Sequence, residues 1–470
     1  MSESSLALDR EPARYPLSYT QEWFITLDKG DDGGTFGPRF MTLGALRVSG
    51  HVDLGVLQDS LDDVVARHEL LRTLVVRDAD PPYQVVLPPC RVPLEVRDLP
   101  PAAGKSRDLV VQELVLEAEA GSISAREVPL MRVLLGRFDD GDSVLILTMH
   151  HSVSDGWSVH LVFRDLGAFY LARRAGTAVV LPRVRQYREY VAWQRASATS
   201  TAEDGAPAYW RRQLDGAREF TIPNDHGHPD GYSRPYSQHA HAIEAEVMAA
   251  ASALATATRS TLFTVMLSAF YILAHDLTGA TDPAIRAFTA GRDEAQFQDT
   301  MGLFINCVPF RTDIAGCASF RDIVMATRDT FVDAVAHELP VNVLEQMLPG
   351  FVKSREDLGT SQFIIANQQG QLGDDDSFPI AEGTRGVGDG GGLVEGSEVH
   401  DIPTGVVWNL AASPSGELRG GVLFNLDEFD ESTVAGWAAG LRRILAGAVR
   451  EPDRDWRLLA SPASRHENRV

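Results

Sequence analysis

The stretch VLILTM, residues 144–149, narrows the fold more than any other part of this chain. It is a near-continuous apolar run, which suits a strand buried on both faces. A DDGD turn separates it from MRVLLGRF (131–138), so the two segments read as a hairpin. SVHLVFRDLGAFYLARRAG (158–176) follows after a short loop as an amphipathic helix that stops at Gly176. The local plan is therefore strand, loop, helix. Similar alternation recurs along the chain and points to an α/β protein.

A chain of 470 residues exceeds what one hydrophobic core serves, so two lobes are expected. Residues 1–15 read as a flexible arm, 16–195 as an N-terminal lobe, 196–235 as a polar linker and 236–470 as a C-terminal lobe. In the first lobe the pattern predicts a strand at 40–50, a helix over 54–72 and a strand pair around DADPP. The second repeats this vocabulary, with a long helix over 244–279, strands at 283–292, 303–311 and 362–368, and a helix at 320–338. A hairpin over 405–427 and a closing helix at 431–449 complete it. The Gly- and Asp-rich residues 369–400 read as a mobile loop.

The loop after VLILTM reads HHSVSDG, His150 to Gly156. Neighbouring residues on extended backbone point to opposite faces, so His150 and His151 cannot readily share one task. That weighs against a metal site, and no HExxH or CxxC pattern is present to complete one. A histidine near neutral pKa is a natural general base for an alcohol or ammonium proton. Asp155 could order the loop through a buried pair with an arginine, and Gly156 leaves room for backbone or ligand to approach. The alternative is a Ser-rich turn with a helix N-cap at Ser154 or Asp155 and two histidines satisfied in the core.

HHSVSDG matches HHxxxDG, the signature of the condensation domains of nonribosomal peptide synthesis, within the chloramphenicol-acetyltransferase-like superfamily. Further segments follow in that family's order. LSYTQEWFI (17–25) resembles its opening motif through Ser18, Gln21 and Trp23 or Phe24, and RHELLRT (67–73) matches RHExLRT. YREYVAW (187–193), AGRDE (290–294), MGLFINCVPFR (301–311) and HELPVNVLE (337–345) resemble later ones. Val341 and Asn342 stand where the family usually has Phe and Glu, and SQFIIANQ near residue 361 keeps only a hint of its motif. The resemblance spans about residues 14–450.

It implies two chloramphenicol-acetyltransferase-like lobes in a V-shaped pseudo-dimer with a central tunnel. It also implies acyl transfer from the phosphopantetheine thioester of a carrier protein to a hydroxyl or amine of a small molecule, giving an ester or amide. By the same resemblance His151 is the base or the group that positions the nucleophile, with Asp155 and Gly156 beside it. His150 is structural, as are Arg292 and Arg72, the two candidate partners of Asp155, of which Arg292 is favoured. Trp193 and Asn306 are candidates for lining the tunnel. No cofactor or metal is expected to be bound. No adenylation segment or carrier serine motif is seen, so the chain resembles a free-standing condensation enzyme, of the kind found in antibiotic pathways including enediyne-type ones. The rival expectation is a catalytically silent relative that recruits a partner enzyme. The recruiting members tend to lose the second histidine and the glycine, both of which this chain keeps.

Charge adds exclusions. Forty-three basic against 65 acidic residues give −22, which disfavours nucleic acid and anionic membranes. An acidic carrier would need a local basic surface, expected near LARRAG (171–176) or RVRQYR (183–188). Cys90, Cys307 and Cys317 read as buried thiols of a reducing compartment. The polar N-terminus has no signal-peptide pattern and no apolar run is long enough to span a bilayer, so a cytoplasmic location is expected.

Overall fold

The computed structural model describes residues 13–99, 104–203, 205–226, 236–292, 294–352, 359–368, 385–386, 405–412 and 416–460. Most of the expected arm, the loop 369–400 apart from its residues 385–386, and the tip of the hairpin near 413–415 lie outside the described residues.

In chain order the first elements are β1 (Arg14–Tyr15), α1 (Tyr19–Thr26), β2 (Met41–Ser49), α2 (Leu54–Arg67), β3 (Thr73–Val76) and β4 (Tyr83–Val86). Then come β5 (Leu94–Asp98), α3 (Arg107–Glu119), β6 (Met131–Asp139), β7 (Asp142–His150), α4 (Gly156–Ala175) and α5 (Tyr187–Glu203). The following part holds α6 (Ala206–Gln213), β8 (Thr221–Pro223), β9 (Tyr236–Ile243), α7 (Ala245–Ala257), α8 (Leu262–Thr278), β10 (Ala284–Thr289) and β11 (Asn306–Arg311). It ends with α9 (Phe320–Ala336), α10 (Val341–Met347), β12 (Thr360–Gln368), β13 (Arg385–Gly386), β14 (Val406–Ala412), β15 (Leu418–Asn425) and α11 (Glu431–Arg450).

The chain divides into two compact units. Unit 1 comprises Met1–Ser197, Arg292–Phe304 and Asp375–Val387, and unit 2 comprises Ala198–Gly291, Ile305–Asp374 and Gly388–Val470. This differs from the expected boundaries in two ways. Part of the stretch read as a linker is regular structure: α6 and β8 belong to unit 2, and β8 pairs with β12. The residues from 236 onward do not form one uninterrupted lobe, because Arg292–Phe304 packs with unit 1. Composition registers polarity, and it misses a short helix whose few apolar residues, Tyr209 and Trp210, are buried.

Unit 1 is built on a five-stranded sheet in the order β13-β2-β7-β6-β5, with β5 and β6 parallel and the other pairs antiparallel. β7 lies at its centre, and Ser143–His150 are all buried, as the unbroken apolar run requires. Val144 and Ile146 pack with Ala45 of β2 against Val111, Leu114 and Val115 of α3. The opposite face meets α4, where a Cβ on Gly44 would stand 2.4 Å from Val159 and 2.6 Å from Phe163. The expected helix over 54–72 stops at Arg67, and a 3-10 turn carries Glu69–Arg72.

Unit 2 carries a sheet in the order β11-β10-β12-β14-β15-β9, parallel at β10–β12 and β12–β14. Its core is filled by α8, whose residues Thr264–Ala274 are all buried. The long helix expected over 244–279 is two helices, bent by 107°. Arg259 takes a left-handed φ of 52°, and the Thr261 side chain caps the new helix by accepting from the Thr264 N–H. Pattern alone reads both halves as apolar and helical, so the break was invisible to it. No single helix among the described residues is long and apolar enough to cross a membrane.

Candidate functional site

The loop from β7 to α4 is ordered by two histidines with different partners. His150 ends β7 with no solvent exposure. Its Nε2 donates to the Gly37 carbonyl at 3.0 Å, and its Nδ1 accepts from the Ser152 N–H at 3.1 Å. Burial holds its pKa down, at about 4, against the opposing pull of the Gly37 carbonyl. Both nitrogens are taken by the protein, so His150 offers no lone pair to a shared ligand.

His151 follows in a 3-10 turn and is half-buried. Its Nδ1 lies 2.7 Å from the Ser154 carbonyl, which can only accept. That bond places the proton on Nδ1 and leaves the Nε2 lone pair for another partner. Burial lowers its pKa, while the Ser154 carbonyl and Asp155 pull the other way. Ser154 is itself fixed, since its hydroxyl donates to the His150 carbonyl at 2.9 Å and meets Thr42 Oγ1 at 2.7 Å.

Asp155 caps α4. Its Oδ1 accepts from the Ser158 N–H at 2.8 Å and the Ser158 hydroxyl at 2.7 Å. Arg292 donates through Nη2 to both carboxylate oxygens at 3.0 Å, and the Phe304 N–H reaches Oδ2 at 3.3 Å. Arg292 also donates to the Thr300 carbonyl at 2.8 Å and lies 3.9 Å above the Phe304 ring. A buried carboxylate is thus neutralised and its oxygens filled, as burial of a charge demands. Every partner of this cluster lies in unit 1. Gly156, the first residue of α4, is exposed, and a Cβ there would meet nothing within 4 Å.

Arg292 is therefore the partner of Asp155, as favoured, and Arg72 is not at this site. Arg72 donates to the Val65 carbonyl at 3.2 Å and to that of Leu87, closing the end of α2 onto β4. The helix ends at Arg67, and Arg72 closes the 3-10 turn that follows it. Trp193 is half-buried in unit 1, stacked on Tyr190 at 5.9 Å and tilted against Phe297 at 5.6 Å. Asn306 lies in unit 2 with both ends of its amide engaged. It donates to Glu338 at 2.7 Å and the Leu339 carbonyl at 2.9 Å, and accepts from the Val341 N–H at 2.9 Å. Its amide secures the start of α10.

The expected basic surface is partly neutralised, because Arg173 pairs with Asp63 at 2.7 Å and Arg188 with Glu69 at 2.8 Å. Of the three thiols, Cys307 is buried and pushed up to about 12, whereas Cys90 and Cys317 are half-buried. Of three site neighbours, Phe40 escaped sequence reading, while Phe24 and Tyr187 entered it only inside motifs, with no place assigned at the site. Phe40 stacks on His151 at 4.7 Å and 18°, Phe24 meets the same ring edge-on at 6.3 Å, and Tyr187 donates to the Leu303 carbonyl at 2.6 Å. Strand register carries the signal for the first. Met41 pairs with His150, so residue 40 must lie beside residue 151.

The condensation domain family model matches residues 12–468. The chain is 31% identical over 457 residues to the probable non-canonical nonribosomal peptide synthetase CymA of Salinispora arenicola, covering 94% of the chain and 6% of CymA. It is 32% identical over 460 residues to the phosphinothricin tripeptide synthetase PhsB of Streptomyces viridochromogenes, covering 96% of the chain and 37% of PhsB. The chain thus spans well under half the length of these curated relatives. Among solved structures, SgcC5 of Streptomyces globisporus, in complex with a naphthyl 1,2-ethanediol and sucrose, is similar at TM-score 0.85 and 34% identity, covering 94% of this chain and all of that one. The X-domain from teicoplanin biosynthesis, at TM-score 0.76 and 23% identity, shares the fold.

Proposed function

From the premise that this chain belongs to the condensation domain family, whose members are generally ester- or amide-forming acyltransferases, we propose that it transfers an acyl group from the phosphopantetheine thioester of a carrier protein to a small-molecule acceptor. The observation that carries the reading is the His151 ring, whose Nδ1 proton is held by the Ser154 carbonyl while Nε2 keeps its lone pair. The acceptor is a hydroxyl or amine. The diol bound by SgcC5 favours the hydroxyl. We place it in an antibiotic pathway, of enediyne type by the resemblance drawn above.

In this mechanism Nε2 of His151 takes the proton of the acceptor hydroxyl as its oxygen attacks the thioester carbonyl. The carbonyl π electrons move to oxygen. The resulting oxyanion lies by the first turn of α4, where the Gly156 and Trp157 N–H groups have no partner within the helix. Collapse re-forms the carbonyl and breaks the C–S bond. The leaving sulfur takes the proton back from His151, and the products are ester and free thiol. Asp155, held by Arg292, fixes the start of α4 and hence the loop. The open side of Gly156 gives the pantetheine arm room to pass. The chain itself holds no cofactor in this scheme and needs neither nucleic acid nor membrane. We place it in the cytoplasm, where the carrier-bound substrates are made.

The test is turnover of acyl-loaded carrier with an alcohol acceptor. His151→Ala is expected to lower kcat by about two to four powers of ten, the usual loss for a general base. Because burial lowers the His151 pKa, the wild-type rate should fall on the acid side only below the ordinary histidine value near 6.5. His151→Ala within a few-fold of wild type would remove the base role. No product from any loaded carrier, together with tight binding of a second enzyme, would support the recruiting alternative.

A further inference from the structure

The turn Gly37–Phe40, just before β2, touches both histidines. The Gly37 carbonyl accepts from His150 Nε2 at 3.0 Å and from the Phe40 N–H at 3.2 Å. The Phe40 carbonyl accepts from the His151 N–H at 2.8 Å. The Phe40 ring lies nearly parallel to the His151 ring, with centroids 4.7 Å apart. Phe24 of α1 supports Phe40 edge-on at 5.5 Å. We propose that Phe40 is a positioning residue for the acyl transfer, fixing the plane of the His151 imidazole so that Nε2 points one way.

The physical reason is a count of constraints. The hydrogen bond from Nδ1 to the Ser154 carbonyl fixes one point of the ring. A ring held at one point still rocks about that bond, and rocking swings Nε2 most, since it lies across the ring. Stacking removes that remaining freedom, because tilting the imidazole would drive it into the phenyl face or open a gap without contacts. Phe40 is half-buried and lies outside regular structure, with one face occupied by the histidine and an edge by Phe24. A ring placed only to fill the core would be fully enclosed, as Phe163 is. The titratable groups acting on the imidazole are Asp155 and His150.

This inference rests on His151 being the working base, so the test has an arm that does not depend on turnover. Phe40→Leu keeps an apolar side chain, whereas Phe40→Tyr keeps the aromatic face. With loaded carrier, Phe40→Leu should lower kcat about tenfold with KM for the acceptor within about twofold, and Phe40→Tyr should keep kcat within about threefold of wild type. In parallel, imidazole nitrogen NMR, with the His151 signal assigned by its loss in His151→Ala, should show one Nδ1–H tautomer in wild type and Phe40→Tyr. In Phe40→Leu the signal should broaden or split. An unchanged His151 signal and unchanged kcat in Phe40→Leu would overturn the proposal. Equal losses in both variants would do so too, because they would mark a packing role without ring specificity. A disturbed signal in Phe40→Leu alongside an active His151→Ala would uphold the positioning and reject the base.

Discussion

At the scale of single residues, the paired histidines are held in different ways because their ring nitrogens meet different partners. The alternation of extended backbone separates His150 from His151 in the sequence, and the structure supplies the reason each ring stays neutral and in one tautomer. Asp155 was legible as a buried carboxylate needing a cation, and the family resemblance favoured Arg292; the residues alone did not choose it over Arg72, since it lies 137 positions away. Arg292→Ala leaves Asp155 buried and uncompensated. Unfolding in urea should show a loss of about 3–5 kcal/mol, and acyl transfer should fall with it because α4 loses its anchor. Arg72→Ala should weaken folding yet leave kcat of the folded fraction close to wild type, as its bonds close α2 onto β4.

At the scale of elements, the loop depends on how tightly β2, β7 and α4 pack. The hairpin β6–β7 and the helix α4 were readable because hydrophobic period and turn chemistry are local. Their spacing was not. It hinges on Gly44, where absence of a side chain lets β2 approach Val159 and Phe163. Gly44→Val should push α4 outward and destabilise the protein by about 1–3 kcal/mol. Activity should fall further than stability does, measured at a temperature where the variant remains folded by circular dichroism. The break between α7 and α8 was missed for a related reason. A left-handed arginine leaves no compositional trace, so the pattern ran on through Arg259.

At the scale of the whole molecule, chain order and spatial order part company. Arg292–Phe304 sits among unit 2 residues in sequence and with unit 1 in space. It brings the Thr300 carbonyl, the Gly302 N–H that donates to the Ser158 hydroxyl, the Leu303 carbonyl bonded to Tyr187, and the guanidinium that neutralises Asp155. A fragment of residues 13–203 would lack all of these. It should lose cooperative unfolding and bind a hydrophobic dye, whereas the full chain should show neither change. A fragment that unfolds as cooperatively as the full chain would mean that the segment adds little to unit 1.

The sequence by itself determined the α/β class, the strand–loop–helix around HHSVSDG, the family, and that the two histidines face different surroundings. Each follows from short-range pattern, where neighbours in the chain are neighbours in space. Only the tertiary structure decided which arginine meets Asp155, that Asn306 serves the start of α10, and that Phe40 lies on His151. Those pairings join residues tens to more than a hundred positions apart. Strand register and packing set them, and nothing in the residues on either side announces the partner.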